Sequence, residues 1–243
     1  MRLTGRLVRR IVAAGAALTA LGLGAARADC RLPGLSMPQM PPPVIRMTVI
    51  EPRVVYHHEL DLLGLSRVHT REAAQQGVLL GLTRYYEPIK LQVRSKVFGR
   101  PSGGDVCVYP AEIIMEIGNP VEDVYIANNY APGSCEYQAV LEHENTHVSI
   151  NNQVFREIQP RLRQALDEAG HTGFPMHFAS QHDAERVAAV IQQRIAPVLK
   201  YLENRLAQEN AKIDTPESYR RNQARCKGWF PPGTRLPGGR VAR

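Results

Sequence analysis

Two hydrophobic periods divide the chain. From Val44 to Ala127, apolar and polar residues alternate in short runs, and many of the apolar ones are β-branched. Alternation of this kind puts every second side chain on one face of a strand. The strands expected are Val44–Tyr56, broken at Pro52; Lys90–Phe98; Asp105–Ile117, beyond the turn Ser102-Gly103-Gly104 and interrupted at Pro110; and Val121–Ala127. One helix interrupts them, capped by Thr70, running over Arg71–Tyr85 and closed by Pro88.

After Gly133 the period lengthens to three or four. Ser134 is a good N-cap, with Glu136 in the first turn behind it. The helical pattern then runs from Cys135 to Ala169, with a kink or break expected at Pro160. Its apolar seam is Val140, His143, His147, Ile150, Val154 and Ile158. Gly170–Pro175 reads as a turn. A second helix from about Gln181 to Lys212 carries the seam Val187, Ile191, Ile195, Val198, Leu202 and Leu206. Strands first and helices after predict an α+β domain: a small, mainly antiparallel sheet followed by two long helices.

The ends differ from this body. Residues 1–28 read as an export signal, with a basic start, an apolar run at Ile11–Ala25 and a small-x-small site at Ala26-Arg27-Ala28. Residues 29–43 are a proline-rich leader, residues 44–228 the domain, and residues 229–243 a basic tail. An exported chain resides outside the cytoplasm, in a periplasm or beyond the cell. Its four cysteines, Cys30, Cys107, Cys135 and Cys226, then suggest two disulfides. Of three pairings, Cys107–Cys135 with Cys30–Cys226 is the one preferred here, stapling a strand to a helix start and tying the two ends.

Charge removes one class of function. The formal net charge is +7, but five basic residues lie in the signal and seven in the last 24 residues. The body from Asp29 to Tyr219 is mildly acidic, whereas a nucleic-acid-binding domain carries a basic face. No nucleic-acid partner is expected. The basic tail can touch an anionic envelope surface, or simply be solvated.

The chemistry lies in Leu141-Glu142-His143-Glu144-Asn145-Thr146-His147. H-E-x-x-H on a helix sets two imidazoles one turn apart on one face, able to share a zinc ion, with Glu144 beside them as general base. Such a Glu takes a proton from the attacking water and delivers it to the leaving amine, which is the chemistry of a peptidase. Zinc needs a third protein ligand. Candidates are Glu157, Asp183, Glu185, Glu209, Asp214, Glu217, His171, His177 and His182. Glu157 is ten residues beyond His147, about 15 Å along the helix and out of reach. In an antiparallel hairpin turning near Phe174, His147 is level with about residue 200, and the segment Glu209–Tyr219 returns to the metal. A break at Pro160 would bring Glu185 back. Tyr219 is either an oxyanion stabiliser or packing.

On these residues the chain resembles the zincin metallopeptidases. More narrowly, it is similar to a family of predicted secreted zinc-dependent proteases of Gram-negative bacteria. The likeness covers the signal, the strands and both helices, and its sharp part is the pentad His143–His147. Ile150 and Gln153 stand where the metzincin extension would place its Gly and third His. The resemblance implies a zincin-like fold, with an edge strand at Val121–Ala127 that binds a peptide or protein substrate in extended form. It also implies a third ligand from a Thr-x-His near the C-terminus. Here Thr215-Pro216-Glu217 stands there, so Glu217 is the expected ligand beside His143 and His147. The rival expectations are an envelope zinc-binding protein without efficient hydrolysis, and a metal-free helical interaction module.

Overall fold

The structure, a computed structural model of the chain, describes residues 30, 32, 40–68, 79–86, 89–99, 104–180 and 186–229. The export signal, most of the proline-rich leader, residues 71–78 of the expected first helix, the candidate ligands His182, Asp183 and Glu185, and the tail from residue 230 lie outside them.

The chain is an α+β domain, with strands first and long helices after. The strands are β1 (Val44–Val49), β2 (Arg53–His57), β3 (Gly81–Tyr85), β4 (Ile89–Gly99), β5 (Val106–Ile117), β6 (Val121–Ile126) and β7 (Met176–Phe178). The helices are α1 (Leu62–Val68), α2 (Cys135–His171), α3 (Arg186–Ile213) and α4 (Pro216–Ala224). The expected single, mainly antiparallel sheet is instead two small mixed sheets. One runs β1-β5-β4, with β7 also on β5; the other runs β2-β6-β3.

One chain pairing builds both sheets. β1 runs parallel to β5, Val44 opposite Glu112, and β2 runs parallel to β6, Arg53 opposite Val121. The register offset is the same in both, so the two segments turn the corner together. Ile50 N donates to Ile117 O at 2.8 Å and Arg53 N to Pro120 O at 3.1 Å across that corner. Pro52 breaks the first segment where sequence placed the break. Gly118 makes the turn in the second with φ +109°, and a Cβ there would run into the Ile50 carbonyl.

β4 and β5 form the expected hairpin, closing at Gly99 opposite Val106. The register slips between Arg94 and Ser95, opposite Glu112 and Pro110, which leaves Ala111 as the extra residue of a bulge. On its other side β5 pairs with β7 over Val106–Val108 and with β1 from Glu112 onward. Pro110 falls between these two pairings and beside the bulge, where a strand tolerates proline.

Helix α2 begins at the expected cap, where Ser134 Oγ accepts from Tyr137 N at 3.1 Å. It continues through Pro160 to His171 without a break in the helix. Its length lets it serve both sheets. Ala139, Val140 and Val148 pack on the β2-β6-β3 sheet, with Val124, Ile126 and Trp229. Val154, Phe155, Ile158, Leu162 and Leu166 pack on the other sheet and on α3. The seam passes through Asn151 and Phe155, and Ile150 is only half-buried.

Gly81–Tyr85 corrects part of the sequence reading. Expected as the end of a helix, it is strand β3, antiparallel to β6 with Leu82 opposite Tyr125. Its partner lies some forty residues away, and that non-local ladder outweighs the local helical pattern. The preferred cysteine pairing is also corrected. Cys30 bonds Cys107 and Cys135 bonds Cys226. The start of α2 lies on the β6 sheet, away from Cys107 on β5, and the chain returning from α4 brings Cys226 to it. Among the described residues no helix is long and apolar enough to cross a membrane. Two formed disulfides suit an oxidising compartment.

Candidate metal centre

The helix period delivers the first two groups. His143 and His147 share the buried face of α2, their ring centroids 4.9 Å apart. The third group comes from the end of α3. Ile213 ends that helix, Asp214 follows, and Thr215 caps α4, its Oγ1 accepting from Ser218 N at 3.1 Å with Pro216 in the first turn. The turn between the helices pushes Asp214 into the domain, where its side chain is 2% exposed. Asp214 Oδ1 is 3.2 Å from His143 Nε2 and 3.2 Å from His147 Nε2. Among the described residues these three alone form a compact set of metal-ligating side chains, their ligand atoms within 4.8 Å of one another.

Glu217, the expected ligand, is not part of this set. It lies in the first turn of α4, exposed, because the chain has changed direction after Asp214. Of the other candidates, Glu209 is ion-paired with Arg205 and Lys212, and Glu157 faces Arg205 at 3.4 Å. His171 closes the far end of α2, and His177 on β7 is 3.5 Å from Asp105. The level of the return also differs from the expected one: His147 meets Asn210, not residue 200. The crossover between the helices contains β7, so the hairpin is not a tight turn. Counted from the helix ends, His147 is 24 residues before the end of α2 and Asn210 is 24 beyond the start of α3.

Glu144 is 2% exposed and lies against the edge strand β3. Thr83 Oγ1 donates to Glu144 Oε2 at 2.8 Å. A Cβ at Gly81 would stand 2.7 Å from Glu144 Oε1, so only glycine lets β3 approach this closely. Burial raises the Glu144 pKa; the charges of His147 and His143 and the Thr83 hydroxyl offset only part of that. Burial alone would raise Asp214 too. The surrounding His143, His147 and Tyr219 instead hold it well below the usual carboxylate range. His147 is moved up, because the Asp214 and Glu144 charges outweigh the burial that opposes its cation.

Tyr219 Oη donates to Asp214 Oδ1 at 2.9 Å, and its ring centroid is 5.1 Å from that of His143. Burial and the Asp214 carboxylate push its hydroxyl far above the ordinary phenol value, so it stays a donor. Next to the cluster is a groove with Leu79, Leu80 and Gly81 on one wall and Asn222 and Gln223 of α4 on the other, with Val140 and Trp229 also lining it.

Whether a metal suits these residues can be judged from their unpaired atoms. His147 Nε2 and Asp214 Oδ2 are buried and have no hydrogen-bond partner. Burying a polar atom unpaired costs about 1–3 kcal/mol. His147 Nε2 lies 3.2 Å from Asp214 Oδ1, where the three side chains meet, and Oδ2 is the second oxygen of that same carboxylate. Two imidazoles and one carboxylate are a ligand set that zinc accepts while keeping a fourth position open. The residues fit a zinc ion.

Sequence reasoning missed Thr83, Asn151 and Asn210. Asn210 carried a signal, since it continues the apolar seam of α3 four residues beyond Leu206 as a polar residue on a core stripe. Thr83 carried none, its place depending on the β3–β6 ladder. His57 and His58 are anchors: His57 Nε2 is 2.9 Å from Asp123 Oδ1, and His58 Nε2 2.9 Å from Tyr130 O. No family model, curated protein or solved structure matches the chain.

Proposed function

We propose that this chain is an exported zinc-dependent peptidase of the periplasm or extracellular space. His143, His147 and Asp214 would hold the metal and Glu144 would be the general base. The observation that carries the reading is the meeting of His143 Nε2, His147 Nε2 and Asp214 Oδ1 beside a buried Glu144 whose pKa burial raises.

Zinc so held lowers the pKa of water and polarises a carbonyl. The remaining steps belong to the chain. Glu144, held at Oε2 by Thr83, accepts the proton of the attacking water at Oε1 and passes it to the leaving amine. Its raised pKa brings it closer to working pH, which favours transfer in both directions. Tyr219 donates its one hydroxyl hydrogen to Asp214 Oδ1 and so fixes the carboxylate.

The expected substrate strand needs relocating. Val121–Ala127 corresponds to β6, which is central, with β2 on one side and β3 on the other. β3 is paired on one side only among the described residues, and it touches Glu144. An extended peptide adding to β3 would run along the groove between Leu79–Gly81 and Asn222–Gln223.

The test is metal content with turnover on an unstructured protein substrate. Wild type should bind one zinc per chain, and His143→Ala/His147→Ala none. Glu144→Gln should keep zinc and lose hydrolysis. Absence of zinc from the wild-type chain would overturn the reading; zinc without hydrolysis would leave an envelope zinc-binding protein.

A further inference from the structure

His147 presents one nitrogen to the cluster and the other to a buried chain of side chains. Its Nδ1 is 2.6 Å from Asn210 Oδ1. Asn210 Nδ2 donates to Leu206 O at 2.8 Å and to Asn151 Oδ1 at 3.0 Å. Asn151 Nδ2 donates to Glu122 Oε1 at 3.3 Å. Asn210 and Asn151 are at most 1% exposed, and Glu122 and His147 are fully buried.

The chain has one sense. Asn210 uses its amide nitrogen twice, so only its oxygen faces His147. An oxygen facing a ring nitrogen requires that nitrogen to carry the hydrogen. In the neutral ring His147 is therefore an Nδ1–H donor, and the lone pair is on Nε2, 3.2 Å from Asp214 Oδ1. Reversing the Asn210 amide would set its oxygen against the carbonyl of Leu206 and the oxygen of Asn151. At the far end, Glu122 supplies an acceptor to Asn151 whether it is ionised or protonated on Oε2.

We infer that Asn210 is the positioning residue of His147, holding the imidazole, through amide hydrogen bonds anchored on Asn151 and Glu122, in the tautomer whose Nε2 lone pair faces His143 and Asp214. The metal-binding form of His147 is set before any metal arrives. Without Asn210 Oδ1, the ring hydrogen moves to Nε2, where Asp214 Oδ1 at 3.2 Å accepts it, and the coordinating lone pair is lost. The asparagines account for this where a bare core role would not: two apolar residues would fill the same space at lower desolvation cost.

The proposal rests on the zinc-site reading, and its test separates the two. Nitrogen-15 NMR of the metal-free protein, at a pH where His147 is neutral, reports its tautomer; titration with zinc alone reports affinity. Wild type should show Nδ1–H. Asn210→Leu should shift His147 to Nε2–H and weaken zinc binding about 10–100-fold. Glu122→Met, which offers Asn151 no acceptor, should shift both readouts part of the way, and Glu122→Gln, which retains an acceptor oxygen, should restore them. If Asn210→Leu does not fold, the Met and Gln pair decides. Folded variants with wild-type tautomer and affinity would overturn the inference. A wild-type protein that shows Nδ1–H but binds no zinc would sink the zinc reading and leave the positioning intact.

Discussion

Thr83 on β3 donates its hydroxyl to Glu144 on α2 at 2.8 Å, and the same oxygen lies 3.1 Å from the Glu144 backbone carbonyl. One side chain thus fixes the edge strand to the turn of helix that carries the candidate base. Thr83→Val should keep the packing and remove the donor. The Glu144 carboxylate, already disfavoured by burial, would lose a hydrogen bond worth about 1.5–3 kcal/mol to a charged group. The expected outcome is a hydrolysis rate at least tenfold lower, its acidic limb moved to higher pH, and zinc affinity unchanged. A pH–rate profile with a parallel zinc titration checks it.

Asp214 and Glu217 make opposite predictions. Asp214→Ala should remove stoichiometric zinc and leave His143 and His147 without their shared carboxylate. Glu217→Ala, on the exposed face of α4, should retain zinc and activity. Metal analysis of the two purified variants decides between them.

Glu122 gives a pH signature in the metal-free protein. Burial raises its pKa from 4.5 to about 7, with Asn151 and Asn119 offsetting part of the rise. A carboxyl with a raised folded pKa stabilises the fold fully below the unfolded value and loses that contribution as pH rises through the folded one. Between pH 4.5 and 7 the wild type should therefore lose up to about 3 kcal/mol relative to Glu122→Gln, whose side chain does not titrate. Urea unfolding of both proteins across that range measures the difference, and parallel curves would refute it.

The bond Cys135–Cys226 closes a separation of 91 residues and ties the chain beyond α4 to the start of α2. Helix α4 has no buried residue of its own, although Tyr219 and Asn222 reach the cluster from it. The Arg225–Glu142 ion pair beside the bond is exposed and contributes little. Cys135→Ser/Cys226→Ser should cost about 2–5 kcal/mol of stability. It should also weaken zinc binding, because Tyr219 no longer steadies Asp214. Thermal unfolding and zinc titration of the double variant test the two parts separately.

Gly118 holds the corner between the sheets at φ +109°. Gly118→Ala combines a left-handed backbone with a collision on the Ile50 carbonyl and should cost at least about 1–3 kcal/mol. Gly133→Ala, also at positive φ but with open space around it, should cost less. Unfolding midpoints of the pair separate the collision from the backbone strain.

Local rules determined a good deal of this protein from sequence alone. The period of three to four fixed α2 and α3 and put His143 and His147 on one buried face. Ser134 and Glu136 set the start of α2, and Pro52 the division between β1 and β2. Each depends on neighbours a few residues apart. Tertiary structure decided the rest. Gly81–Tyr85 is a strand because β6 is there to pair with it. Cys135 found Cys226 because the chain beyond α4 returns to the start of α2. The candidate third ligand is Asp214 and not Glu217 because the crossover through β7 sets how far α3 travels back along α2. Asn210, Asn151, Glu122 and Thr83 meet the site from four elements, and only packing those elements brings their polar atoms within hydrogen-bonding distance.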